Sequence, residues 1–340
     1  MKERSSNMEL LRLVCMFFIV VHHGIHALNL YSNVPLEGTD LVIAHLMDSF
    51  CLVGVNVFVL ISGWFGIRPN KKSFLRFYLM CAFYAGVLYL IDLYARGSHI
   101  NRWCLYNTIF PISHNPGWWF VPCYLMLYLL SPLLNKAIDN MGRKEMLMVL
   151  AVLMIINVYF GFYRQMGVNK NGYNLNNFIF LYFIGRILSR SGISKNKRIR
   201  VYAGGGFVIG SLILGTLWLL NETCWHSINP FLLCVEYYNH PLLIVNSVAL
   251  LLLFSGISFH SRLVNWMASS SFAVYLIQDN NLWVGKTWYK LLGNTPPPNN
   301  QCNVFIFIAL ASIFTLLVGI LIDKPRKYLT DVVLNKLIKE

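Results

Sequence analysis

The chain has 340 residues, 56% of them hydrophobic and only 12% charged, with a mean hydropathy of +0.55. Soluble domains carry about 25% charged residues, so this composition excludes an ordinary soluble domain and indicates an all-α, polytopic membrane protein. The formal net charge of +14 does not point to nucleic acid, because the basic residues cluster in particular loops between apolar runs.

A helix needs about 20 apolar residues to cross a hydrocarbon core of roughly 30 Å. Ten runs approach that length: 8–30, 43–66, 74–95, 118–135, 146–163, 175–190, 201–220, 238–258, 268–292 and 303–322. Lys2 and Arg4 precede the first run in the manner of a signal peptide. The run is long, carries Arg12 and lacks a small-x-small cleavage signature, so it reads as a retained first span.

Within that span Arg12 and His23 are the anomaly, since ionisable groups at membrane depth are costly and face a protein interior or a wet cavity. Eleven residues is three helical turns plus roughly 20°, which places both on one helix face about 16 Å apart. His22 points some 100° away and reads as structural, whereas His26 shares the face of His23. Glu9 stands one turn before Arg12 and can hold it in place.

The second run contains Asp48, Asn56, Ser62 and Gly63. The last two suit close helix approach, with the hydroxyl turned to a polar cavity, and no base partner marks Ser62 as a nucleophile. Arg68-Pro69-Asn70 breaks the chain before the third run, and Asn115-Pro116-Gly117 before the fourth, where Trp118 and Trp119 follow. The triple glycine Gly204–Gly206 opens the seventh run and suits helix packing. Asn239-His240-Pro241 starts the eighth, the ninth carries Tyr275 and Gln278, and Thr295-Pro296-Pro297-Pro298 precedes the tenth. No stretch is long enough for a separate soluble core, so residues 1–323 form one ten-helix domain and 324–340 a short basic tail.

Alternate loops are basic: Lys2 and Arg4; Arg68, Lys71, Lys72 and Arg76; Lys136, Arg143 and Lys144; the Arg186 to Arg200 cluster; Arg262; and the tail. The opposite loops hold only Arg96, Arg102, Arg164, Lys170, Lys286 and Lys290 of the 28 lysines and arginines. The positive-inside rule then makes both termini cytoplasmic, which ten spans satisfy. Arg12 falls near the cytoplasmic boundary and His23 in the outer half of the membrane. The eight cysteines are scattered singly without zinc-like spacing, so no metal is expected; most sit in or beside apolar runs and read as small buried hydrophobes, and the outer-side residues Cys224 and Cys302 are close enough in topology for a disulfide to be weighed against that reading.

These residues together resemble the acyltransferase-3 family of integral membrane acyltransferases. Arg12 and His23 match its Arg-x10-His motif, and GVNVFVLISGWF (Gly54 to Phe65) is similar to its G-V-x-x-F-F-x-x-S-G-[FW] signature. Trp118-Trp119-Phe120 through Tyr128 to Pro132 resembles its W-F-x…Y-x-x-x-P stretch, and SSSFAVYLIQ (Ser269 to Gln278) its segment ending Y-L-I-H. The chain departs from the pattern twice: Lys71, Lys72 and Arg76 stand where a doubled arginine is common, and Gln278 stands where the histidine is.

The resemblance implies O-acyl transfer from cytoplasmic acyl-coenzyme A, with acetyl the expected group, to a hydroxyl of a cell-surface glycan or its lipid-linked precursor. Acyl-coenzyme A is a co-substrate and no bound cofactor is implied; the partners are that donor, the sugar acceptor and the lipid bilayer of a bacterial-type plasma membrane. Histidine suits the role of base for an alcohol because its unperturbed pKa is near 6.5, so His23 is the expected catalytic residue. Guanidinium groups bind phosphate in a fork, so Arg12, with Arg76, Arg68 and Lys72, is expected to hold the donor. His26, Asp48, Asn56, Ser62, Trp118, Trp119, Tyr275 and Gln278 are expected to line the cavity toward the acceptor. Gln278 cannot be an obligatory proton carrier. A polytopic exporter of a glycan is the rival reading, since scattered intramembrane polar groups also suit a carrier, although no repeat between halves is visible. An inactive accessory subunit is a third.

Overall fold

The computed structural model describes residues 5–31, 36–97, 102–110, 117–167, 169–223, 235–293 and 302–337. Lys2, Arg4, Lys339, Asn115 and Pro116, Cys224, and the break from Thr295 to Pro298 lie outside the described residues. Those described are helical, with no strand among them: α1 (Ser6–Tyr31), α2 (Gly38–Cys51), α3 (Gly54–Phe65), α4 (Lys71–Arg96), α5 (Arg102–Ile109), α6 (Phe120–Asn140), α7 (Arg143–Met154), α8 (Leu175–Arg190), α9 (Lys197–Thr223), α10 (Pro241–Ser255), α11 (Arg262–Ala268), α12 (Ser271–Gln278), α13 (Trp283–Gly293) and α14 (Cys302–Leu337). The protein is an all-α polytopic membrane protein.

Among the described residues, seven spans are long and apolar enough to cross a membrane, among them Gly38–Phe65, which joins α2 and α3, and Arg143–Tyr163, in which α7 passes into a π-helix over Ile155–Tyr163. The eighth expected run is α10, 15 residues long, and the sixth is α8, 16 residues long.

The ninth expected run, 268–292, is not one helix. Asn280 divides it. Its Nδ2 donates to the carbonyl of Ile277 at 2.7 Å, closing the end of α12, while its Oδ1 accepts from the backbone N–H of Leu282 at 3.1 Å and of Gly285 at 3.3 Å, opening α13. One short amide side chain thus serves orphan backbone groups of two helix ends. Asp92 accepts the N–H of Trp283 at 2.6 Å.

The expected basic tail is also different. α14 continues through Pro325 to Leu337, so Lys324, Arg326, Lys327 and Lys336 ride on its last turns.

At Asn70 and Pro241 the sequence marked breaks, and there, as at Asn174, capping supplies the reason. Asn70 and Ser73 form a reciprocal capping box at the start of α4, Asn174 accepts from the N–H groups of Asn176 and Asn177 at the start of α8, and Pro241 occupies the first turn of α10.

The chain falls into two compact units. The first comprises Met1–His22, Leu36–Arg68 and Cys123–Asn265; the second comprises His23–Pro35, Pro69–Pro122 and Trp266–Glu340.

In the first unit α3 and α8 touch through backbone. A Cβ added at Gly63 would lie 2.1 Å from the carbonyl oxygen of Tyr182, and one at Gly185 2.2 Å from that of Leu60. Small residues let membrane helices meet this closely, as expected for Gly63. Of the triple glycine, Gly204 alone faces a neighbour, Leu253; Gly205 and Gly206 meet nothing within 4 Å, and the tight contacts of α9 are made by Gly210 and Gly215. The start of α1 is tied down by Asn7, which donates to the carbonyl of Phe254 at 2.9 Å, and by Ser6, which donates to Asn265 at 3.0 Å.

The second unit packs α12 with α13, α14 and α4. Its deepest ionic feature is Asp323, fully buried on α14, which accepts from Arg326 Nε at 2.6 Å and from the Tyr84 hydroxyl at 3.0 Å.

Two stability outcomes follow from these contacts. Gly63→Val should lower the melting temperature of detergent-purified protein and broaden its size-exclusion peak, because overpacking costs about 1–3 kcal/mol even where only side chains must move. Asp323→Ala should cost about 3–5 kcal/mol, the scale for leaving a buried cation without its partner, while Arg76→Ala on an exposed pair should cost under about 1 kcal/mol.

Candidate functional site

α1 is unbroken, with Arg12 in its first half and His23 in its second, and the two halves take part in different units. In the first unit Arg12 donates to Glu9 Oε1 at 2.5 Å and lies over the Phe65 ring, 5.7 Å from its centroid. Glu9 therefore holds Arg12 as expected, one turn along the helix, and the guanidinium keeps part of its surface open. A guanidinium held this way has further donors for an anion.

His22, read as structural, is paired: its Nδ1 lies 2.7 Å from Asp48 Oδ1, and both groups are largely buried. A carboxylate on one imidazole nitrogen fixes the ring's orientation and tautomer. Asp48 is thus half of an acid–imidazole pair rather than a free cavity residue. A second such pair joins His45 Nε2 to Glu222 Oε2 at 2.8 Å, with the His45 ring 4.6 Å from that of Trp218. Neither pairing was visible in spacing along the chain, because the partners are 26 and 177 residues apart.

Two more expected cavity residues of this unit have structural engagements. Asn56 is fully buried and donates to the Tyr238 carbonyl at 2.9 Å. Ser62 donates to the carbonyl of Phe58 at 3.0 Å and lies 3.5 Å from the Tyr124 hydroxyl, with no base beside it.

In the second unit the Gln278 side-chain amide meets His23 Nδ1, with both Oε1 and Nε2 at 3.0 Å. Gln278 is the last residue of α12, placed there by the Asn280 break, and it is 2% exposed. Gln278, expected to line the cavity toward the acceptor, is thus a direct partner of the histidine. Tyr289 on α13 also approaches, its ring 6.1 Å from that of His23, and its hydroxyl donates to Asp279 Oδ1 at 3.2 Å. Tyr289 and Asp279 were missed in the sequence, and only the polar run Gln278 to Asn281 within an apolar stretch could have signalled them. His26 is exposed, one turn further along α1.

Trp118, expected to line the cavity, is buried, and Tyr275 lies beside the rings of Phe120 and Phe272, with centroids at 6.2 and 5.7 Å. Trp119 is half-buried, its ring 6.0 Å from that of Phe120.

The expected donor-binding cations of this unit pair with the end of α14. Arg76 Nε donates to Asp331 at 2.8 Å and Lys72 Nζ to Asn335 at 2.6 Å. Exposed pairs of this kind are worth about 0–1 kcal/mol, so a polyanion can displace them. Arg68, in the first unit, is exposed.

Chemically, the His23–Gln278 contact is suited to proton abstraction. With Oε1 as acceptor, Nδ1 carries the imidazole proton and Nε2 is the lone-pair nitrogen. An amide can orient the ring in this way without taking up the proton, which is the physical sense of Gln278 standing where the family segment has histidine.

A family model described as an acyltransferase domain matches residues 5–324. No curated protein and no solved structure matches the chain. The matched span includes both histidine pairs on α1, the Asn280 break and Arg12. The chain belongs to the acyltransferase-3 family of membrane acyltransferases, which act on groups other than amino-acyl groups.

Proposed function

We propose that this acyltransferase takes an acyl group, acetyl being the expected one, from acyl-coenzyme A at the cytoplasmic face of a bacterial-type plasma membrane. It transfers that group to a hydroxyl of a cell-surface glycan or its lipid-linked precursor. The observation that carries this reading is the His23–Gln278 contact. Gln278 holds Nδ1, and His23 Nε2 takes the proton of the acceptor hydroxyl as its oxygen attacks the thioester carbonyl. The new O–C bond forms, the C–S bond breaks, and the imidazolium returns its proton to the departing thiolate. One proton is taken and one given back. Arg12, steadied by Glu9, binds a phosphate of the donor. Arg68, Lys72 and Arg76 add positive charge on the same face of the membrane, on the reading that basic loops are cytoplasmic.

The His22–Asp48 pair favours a second assignment within the same chemistry, in which His22 is the base and Asp48 its orienting carboxylate. The break in the ninth run gives the exporter reading no comparable support, because Asn280 occupies the freed backbone groups that a carried solute would use.

Purified protein in nanodiscs separates the two bases. His23→Ala should lower donor-dependent acyl transfer by about 10²–10⁴-fold, the usual contribution of a positioned base. His22→Ala with Asp48→Asn should fall by under about tenfold on the same scale, and the reverse ranking would transfer the role to His22. Solute flux without release of free coenzyme A would overturn acyl transfer itself.

Gln278→Leu should reduce kcat by at least about tenfold through loss of ring orientation, with the KM for the donor unchanged, and Gln278→His should restore most of it. Equal loss in both variants would mean that Gln278 only packs.

A further inference from the structure

We infer that a groove formed by α12, α13 and α14 holds the hydrocarbon tail of a lipid-linked acceptor, so that the acceptor is a membrane-anchored sugar rather than a free one. This rests on His23 being the base for that acceptor, as proposed above.

The groove has a volume of about 290 Å³ and is half-enclosed. Its lining is apolar apart from Trp288 and Thr315, and these two satisfy each other. Trp288 Nε1 donates to Thr315 Oγ1 at 3.0 Å, and Thr315 donates to the carbonyl of Ala311 at 2.8 Å. A sugar hydroxyl or a phosphate would lose its water here and gain no partner, whereas a hydrocarbon loses nothing. The chemistry of the wall therefore selects a chain of methylene or isoprene units.

The rim says where such a chain comes from. Leu291 is 70% exposed and Phe314 68%, and both belong to the groove. In a membrane protein such a rim opens onto the bilayer, and the occupant enters sideways from lipid. Acyl-coenzyme A is dissolved in water and carries several phosphate charges, so that entry does not suit it. A lipid-linked acceptor already lies in the plane from which the groove opens.

The groove also leads to the histidine. Ile277, in its wall, precedes Gln278. The Trp288 ring lies 5.1 Å from that of Tyr289, which is 6.1 Å from that of His23. Leu292 would meet a Cβ at Gly24, the residue after His23, at 3.6 Å. From Ala311 to Ile322 the groove follows α14 for roughly 16 Å, at 1.5 Å per residue. A tail of that reach seated along α14 has its head group beside the imidazole. Because the occupant is held by its tail, the sugar reaches the base with much of its translational freedom already removed, which is the usual source of high effective molarity.

The test uses the full chain in nanodiscs and two acceptors sharing one sugar. One is N-acetylglucosamine linked through diphosphate to a C15 isoprenoid bearing a terminal diazirine; the other is the methyl glycoside of N-acetylglucosamine. On irradiation the diazirine should label peptides of α13 and of α14 between Ala311 and Ile322. Ala311→Phe with Val318→Phe, which fill the groove, should cut this labelling at least tenfold, and Leu310→Phe, on the same helix outside the groove, should leave it in place. Unlabelled lipid-linked sugar should compete and excess phosphatidylglycerol should not. In transfer assays the ratio of kcat/KM for the lipid-linked over the methyl acceptor should fall at least tenfold in the filled variant.

Equal competition by phosphatidylglycerol would mean that the groove takes ordinary bilayer lipid, and competition only by a long-chain acyl-coenzyme A would mean that it takes the donor tail. Either result overturns the inference, as does labelling that ignores the filled variant. Failure of the parent reading is separate: it shows as full transfer by His23→Ala, and the labelling experiment reports on the groove in either case.

Discussion

A helix cannot stop inside hydrocarbon unless something takes over its freed backbone groups, and in this chain the Asn280 side chain does so. That amide bonds the end of α12 and the start of α13 within the stretch from Ser271 to Gly293. With it, Gln278 becomes a helix end, its side chain reaches His23, and α13 turns to bring Tyr289 toward the same imidazole. A structural solution to an unmet hydrogen-bond demand thereby builds the wall of the proposed site.

Much of the architecture was legible because membrane insertion leaves coarse signals. Apolar length gave most of the helices, and Asn70 and Pro241 stand where they should to start them. The break at Asn280 was hidden because a run of apolar residues resumes on either side of it, so hydropathy averaged over a window passes across it. That the helix of α14 runs on through the basic segment was hidden for the opposite reason. Lysine and arginine signal the membrane boundary, but they are also good helix formers, and the helix continues past that boundary.

The site was legible only in part. Arg12, Glu9 and His23 share one helix, and helical spacing is readable from sequence. Asp48 beside His22, and Gln278 beside His23, come from helices brought together by packing, which no periodicity along a single segment encodes. Several polar residues assigned to a common cavity on type alone also have partners in the packing: Asn56 and Ser62 with backbone carbonyls, Tyr275 with aromatic rings. In a bilayer a polar side chain needs a partner whether or not it has a task, so polarity alone overstates function.

The amide at position 278 has one more consequence. Imidazole against imidazole can share and pass protons, whereas imidazole against amide cannot. In the reaction proposed above, the Nδ1 side of His23 is then a fixed support, and the proton taken from the acceptor leaves by Nε2, the nitrogen through which it came. On that proposal the departing thiolate is the base formed in the reaction, so release of the donor carrier and resetting of the histidine are one event.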